Sequence, residues 1–226
     1  MFITEIFKSI QGEGTRAGLP CVFVRLTACN LRCNWCDSEY TFTGGQKMTL
    51  DEVFAEVHQL ADCGLVEITG GEPMLQEREV VPLMERLLRA GYTVLLETSG
   101  ERPLARVPKG VVKIVDVKCP HSGAGDSFAM ENLEALTEKD EIKFVLSDRE
   151  DYEFARDFTQ AHGLGSRARS VIFSPAFRKD AAGDRDARHC LVDPQELAEW
   201  ILAEGLNVRL GLQLHKFIWE PAAKGV

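Results

Sequence analysis

No stretch of this sequence approaches the roughly 18 uninterrupted apolar residues of a membrane-spanning helix. The opening, Met1 to Ile10, is broken by Glu5 and Lys8, so it also lacks the continuous apolar segment of a secretory leader. Cations are the scarcer charge: 26 Lys and Arg stand against 35 Asp and Glu, a formal charge of -9. A field of that sign repels phosphate backbones and anionic lipid at long range. These absences argue for a soluble, cytoplasmic protein with neither nucleic acid nor a membrane as partner. No internal repeat or low-complexity tract interrupts the chain, and 226 residues fit one domain, 1–226.

What is present is an ordinary globular composition, 45% hydrophobic and 27% charged, with strand and helix signals in alternation. An extended opening leads to a strand at Cys21 to Leu26 and a long polar loop, Ala28 to Gly45. Thr49 stands three before Glu52 as a capping box, ahead of Leu50, Val53, Phe54, Val57, Leu60 and Ala61 at helical spacing. Strands are expected at Leu65 to Thr69, Tyr92 to Glu97, Val111 to Val117, Glu141 to Leu146, Ser170 to Ser174 and near Asn207 to Leu210. Helices are expected at Glu77 to Ala90, closed by Gly91, at Asp151 to Ala161, and from Pro194 after the N-cap Asp193 to about Ala203. Such alternation implies an α/β fold with a mostly parallel sheet covered by helices. A complete eight-unit barrel takes about 250 residues, and this chain spends part of its length on loops. The expectation is therefore a partial, open TIM-like β/α barrel of six or seven parallel strands, with Arg178 to His189 a solvated loop.

Strand after strand ends in groups able to bind: Thr69-Gly70-Gly71-Glu72, Glu97-Thr98-Ser99, Asp116-Val117-Lys118, Ser174-Pro175 and Gln213-Leu214-His215. In β/α barrels that carboxyl edge carries the active site.

Cysteine supplies the sharpest signal. Three of the seven, Cys29, Cys33 and Cys36, sit within eight positions. Cys21, Cys63, Cys119 and Cys190 are scattered and read as small buried residues. In a reducing compartment a three-thiolate loop favours metal ligation over disulfides, and it can hold three irons of a cubane while leaving the fourth open. Structural zinc is the competing reading; it normally closes with four ligands, for which only His58 or Cys63 offers itself.

This spacing after the first strand resembles the signature of the radical S-adenosylmethionine superfamily, and Gly70-Gly71-Glu72-Pro73 resembles its Gly-Gly-Glu-Pro segment. Ile10-Gln11-Gly12-Glu13-Gly14, Arg25, Cys36-Asp37-Ser38, Glu97-Thr98-Ser99-Gly100 and Gln213-Leu214-His215-Lys216 narrow the resemblance to the 7-carboxy-7-deazaguanine synthase family. That resemblance implies a [4Fe-4S] cluster on Cys29, Cys33 and Cys36. S-adenosylmethionine would then lie against Gly71, Glu72, Thr98, Ser99, Asp116 to Lys118 and Ser174, Pro175, Ala176 and Phe177. The pterin substrate, a flat array of donors and acceptors, would meet Ile10, Gln11, Gly12, Glu13, Arg25, Thr69, His215 and Pro221, with Arg25 suited to its carboxylate. Ser38, where the family usually has threonine, would offer its hydroxyl to Mg2+.

The activity implied is ring contraction of 6-carboxy-5,6,7,8-tetrahydropterin to 7-carboxy-7-deazaguanine with loss of ammonia, in 7-deazapurine (queuosine) biosynthesis. Magnesium would assist. The resemblance further implies a flavodoxin- or ferredoxin-type electron donor and a homodimer. A radical activase acting on a partner protein would share the cysteine loop and Gly-Gly-Glu-Pro, but has no obvious use for Gln11, Glu13 and Arg25.

Overall fold

Side chains that alternate along each strand give the central sheet two unlike faces. The computed structural model describes residues 1–181, 183 and 185–226. Its strands are β1 (Phe2–Ile10), β2 (Pro20–Leu26), β3 (Gln46–Lys47), β4 (Leu65–Gly70), β5 (Thr93–Thr98), β6 (Val112–Asp116), β7 (Glu141–Leu146), β8 (Ser170–Pro175) and β9 (Arg209–Leu210). They form one sheet in the order β3-β1-β2-β4-β5-β6-β7-β8-β9. From β2 onward neighbours are parallel, giving the expected open β/α arrangement with seven parallel strands. The opening segment is more than extended chain: β1 pairs antiparallel along β2, with β3 added outside it.

The helices are α1 (Leu50–Leu60), α2 (Glu77–Arg89), α3 (Arg149–Ala161), α4 (Leu164–Arg167), α5 (Pro194–Glu204) and α6 (His215–Ile218). Thr49 and Glu52 form the capping box of α1 through both backbone N–H groups. Asp193 caps α5 with Pro194 in its first turn, and Gly205 ends it at φ 61°, where a side chain would be strained. Between β6 and β7 the crossover has only 3-10 turns, Pro120–Ser122 and Met130–Ala135, in place of an α-helix.

One sheet face buries Val22, Val24, Val66, Ile68, Val94, Leu96, Ile142, Phe144 and Phe173 against Val57, Leu83, Leu87, Tyr152 and Ile201 of the helices. Each such side chain contributes about 1.5–3 kcal/mol over leaving it exposed. The other face begins as a smaller apolar layer, Cys21, Phe23, Leu65, Leu95, Val112 and Ile114, with Phe7 packed on it. Two residues further along these strands it becomes polar, with Arg25, Glu67, Glu97 and Asp116, and β7 adds Lys143. That change raises a polar floor at the carboxyl ends of the strands.

The Arg178 to His189 segment is largely solvated, as expected, and among its described residues only Ala181 is buried. Ala181 is buried with Phe177 and Cys190, and Phe217 packs on them; Phe177 and Cys190 form a β-bridge. Positions 182 and 184 of that expectation lie outside the described residues. The scattered cysteines behave as small apolar residues: Cys21, Cys119 and Cys190 are buried, Cys63 partly so, and all are free.

Candidate active site

The cysteine loop leaves β2 through Ala28, whose φ of 81° is the one positive value among described non-glycine residues. A left-handed alanine costs on the order of 1 kcal/mol, and its neighbours hold it. Its N–H donates to the Thr41 carbonyl at 2.7 Å, and its own carbonyl accepts from Glu72 N–H at 2.9 Å. This turn aims Cys29, Cys33 and Cys36 at a shared cavity of about 240 Å3 at the carboxyl edge of the sheet.

The loop is pinned from three sides. Asn34 donates its backbone N–H to Ser122 O at 2.9 Å and its amide nitrogen to His121 O at 2.8 Å. Arg32 stacks over Phe42 at 4.1 Å. Asp37 pairs with Lys216 at 2.8 Å, and although partial desolvation beside the cavity opposes its charge, that ammonium holds the carboxyl below its usual range. Burial raises the thiols of Cys29 and Cys33. Three half-buried thiols on one constrained loop are a donor set suited to a cluster with one open iron.

Gly71 and Glu72 serve the wall of this cavity in different ways. A Cβ on Gly71 would lie 2.8 Å from Cys29 Cβ and 2.6 Å from Ala28 C, so glycine is what lets β4 end beneath the cysteine loop. Glu72 does not face the cavity. Its carboxylate is enclosed and accepts from Met74 N (2.9 Å), Thr98 Oγ1 (2.8 Å), Ser99 N (2.9 Å) and Ser99 Oγ (2.7 Å). It braces the ends of β4 and β5, leaving Thr98 and Ser99 on the cavity wall.

Of the other expected cofactor contacts, Asp116, Lys118 and Phe177 border the cavity; Val117, Ser174, Pro175 and Ala176 are buried behind it. Asp116 Oδ2 accepts from Lys118 at 2.7 Å, while its buried Oδ1 has no hydrogen-bond partner. An orphaned buried acceptor carries a desolvation cost of about 1–3 kcal/mol, which a ligand hydroxyl would relieve. That fits a ribose.

Ile10, Gln11, Gly12, Glu13, Arg25, Thr69, His215 and Pro221 all border the same cavity. Thr15 and Arg16 anchor on Glu141 of β7, which lays the Gln11 to Gly14 turn across the sheet. Leu214 N–H donates to Gly12 O at 2.9 Å, and a Cβ at Gly12 would strike the His215 ring. Burial keeps His215 below its ordinary pKa despite nearby Glu13 and Asp37, so it is neutral near pH 7. Burial opposes the charge of Glu13, but the Lys143 ammonium outweighs it and holds the carboxyl below its usual range.

Arg25 spends its Nε on Glu5 Oε1 at 2.8 Å, an oxygen that also accepts from Tyr40 at 2.7 Å. The ion pair and the cavity contact thus coexist, with Glu5 and Tyr40 orienting the guanidinium. Ser38 Oγ lies 3.8 Å from Cys36 Sγ and caps no helix, leaving an oxygen suited to a hard cation. Ala222, Ala223, Gly225 and Val226 also border the cavity, and Lys224 lies over the Tyr40 ring at 4.3 Å.

Several site residues carry no motif: Glu5, Tyr40, Glu67 and Lys143. A charge in the middle of a parallel strand is the available signal, because such strands are otherwise apolar. It is imperfect, since Lys113 shares it yet pairs with Asp140 at 2.8 Å away from the cavity.

Known proteins resemble this chain in sequence and in fold. The radical SAM superfamily model matches residues 24–117. A 7-carboxy-7-deazaguanine synthase of Koribacter versatilis is 72% identical over 100% of both chains. Another, of Chlorobaculum tepidum, is 41% identical over 99% of this chain and 96% of its own. Among solved structures, QueE from Escherichia coli has a TM-score of 0.72 at 25% identity, covering 94% of this chain and 93% of that one.

Proposed function

The chain belongs to the 7-carboxy-7-deazaguanine synthase family of radical SAM enzymes, and from that premise we propose how its residues divide the work. Cys29, Cys33 and Cys36 hold the [4Fe-4S] cluster. Gly71, Thr98, Ser99, Asp116, Lys118 and Phe177 receive S-adenosylmethionine, with Glu72, Val117, Ser174, Pro175 and Ala176 shaping the wall from behind. Ile10, Gln11, Gly12, Glu13, Arg25, Thr69, His215 and Pro221 bind 6-carboxy-5,6,7,8-tetrahydropterin, and Ser38 contributes to Mg2+. The observation that carries this reading is the convergence of the three thiols and the pterin-sized polar set on one cavity.

Bound together, cluster and S-adenosylmethionine supply a carbon radical able to take hydrogen from the tetrahydropterin ring. The chain supplies orientation and exclusion of water. Arg25, fixed by Glu5 and Tyr40, offers its planar fork to the substrate carboxylate. Glu13 and neutral His215 accept and donate at the ring edge, and the Ser38 hydroxyl helps place a hard cation beside that carboxylate. A one-electron donor of flavodoxin or ferredoxin type and a homodimeric assembly complete the proposal. Among the described residues no helix is long and apolar enough to cross a membrane, in keeping with a cytoplasmic enzyme.

The test is anaerobic turnover of the reconstituted, reduced protein with S-adenosylmethionine, Mg2+ and the pterin, read by mass. Formation of 7-carboxy-7-deazaguanine is expected. Cleavage of S-adenosylmethionine without that product would refute the substrate assignment, and a protein that binds no iron and sulfide would refute the cluster.

A further inference from the structure

The polar floor of the cavity holds charge where a β/α sheet ordinarily packs apolar side chains. Lys143 of β7 is 4% exposed. Its ammonium lies 3.0 Å from Glu13 Oε2 and 3.9 Å from Asp116 Oδ2, and it contacts Glu97 Oε1. Burial works against this charge, but Glu13, Glu97 and Asp116 together hold it well above its ordinary range. Buried ions of this kind offer little or no stability over apolar groups of similar volume. Leu95 and Ile114, two positions earlier on β5 and β6, are apolar, so the fold accepts such packing there. Stability does not account for the charged layer, and every member of it borders the cavity.

Building on the pterin reading of this site, we propose that Lys143 is a positioning residue, holding Glu13 and Glu97 as a fixed pair of acceptors for the neighbouring N–H donors of the substrate ring. The remaining bonds support that role. Gln213 Nε2 fixes the other oxygen of Glu13 at 3.0 Å. Gln11 gives its amide nitrogen to Glu67 and accepts from Glu13 N–H at 2.8 Å. The ring edge of a pterin presents adjacent donors, which carboxylates match. Lys143 is faced by Glu13 from the β1–β2 turn, Glu67 from β4, Glu97 from β5 and Asp116 with Lys118 at the end of β6; His215 of α6 lies beyond Glu13. Without its ammonium three carboxylates would crowd one site and one would take up a proton. An acceptor for the substrate would become a donor.

Lys143→Met keeps the length and removes the charge. Anaerobic calorimetry of the cluster-free protein with 6-carboxy-5,6,7,8-tetrahydropterin is expected to show binding weakened by about tenfold or more, the loss of about one charge-assisted contact. In the loaded enzyme KM should rise correspondingly while uncoupled cleavage of S-adenosylmethionine persists. The defect should shrink as pH rises, because the extra proton is then released; a role confined to stability would not produce that pH dependence. Glu97→Gln, nearly isosteric, should weaken binding similarly and decides the matter if Lys143→Met does not fold. Variants that bind the pterin within about twofold of wild type overturn the proposal, whatever their melting temperatures. A wild-type protein that does not bind the pterin overturns the underlying reading instead.

Discussion

Burial favours the protonated form of Glu67, and replacing it with glutamine measures that proton. The residue is 1% exposed on β4 and accepts from the Gln11 amide. Burial first, then the neighbouring Glu97, push its carboxyl well above the ordinary range. Folded Glu67 therefore keeps its proton to higher pH than the unfolded chain, which releases it above about pH 4.3. The raised folded-state pKa sets the sign: the stabilisation is complete below the unfolded value and is lost as pH rises towards the folded one. Across that window one proton costs about 1.4 kcal/mol of stability per pH unit. Glutamine has the shape of the protonated acid, with a nitrogen that can donate to Glu97 and an oxygen that can accept from Gln11. Glu67→Gln should lack the slope. Urea unfolding of both cluster-free proteins over a pH series reads the difference directly, since ionisations they share cancel. The variant's relative stability should climb by about 1.4 kcal/mol per pH unit from about pH 4.3 upward. Parallel profiles would falsify the proton assignment.

Two further substitutions probe the wall and the turn. Glu72→Ala strands the buried donors of Met74, Thr98 and Ser99 and should cost about 3 kcal/mol or more, read as a lower urea midpoint; a cost under about 1 kcal/mol would show the brace to be dispensable. Gly12→Ala sets a methyl against the His215 ring, whose Cγ would lie 3.1 Å away. It should cost about 1–3 kcal/mol and weaken pterin binding, yet leave iron and sulfide content at wild-type levels; loss of the cluster would show that the turn and the cysteine loop are not separate.

Strand and helix alternation was legible because it rests on local periodicity and caps: Thr49 with Glu52, Pro194 after Asp193, Gly91 after α2. The cluster loop was legible because ligand spacing is itself local. The antiparallel β1 was less so, since its pairing with β2 depends on a return of the chain that its own residues do not announce. Glu72 shows the opposite limit. Its place in Gly-Gly-Glu-Pro marks it for the site, yet only packing reveals that four donors enclose its carboxylate.

By itself, then, the sequence determined the order of the β/α units, the three-thiolate loop and which strand ends carry polar groups. Each of these is written in spacings of a few residues. Only the tertiary structure decided that Glu67, Glu97, Asp116 and Lys143, drawn from four different strands, meet beneath one cavity, and how they pair there. Ionisation and hydrogen-bond pairing depend on burial and on distances across the sheet, which exist only once the strands have found their register.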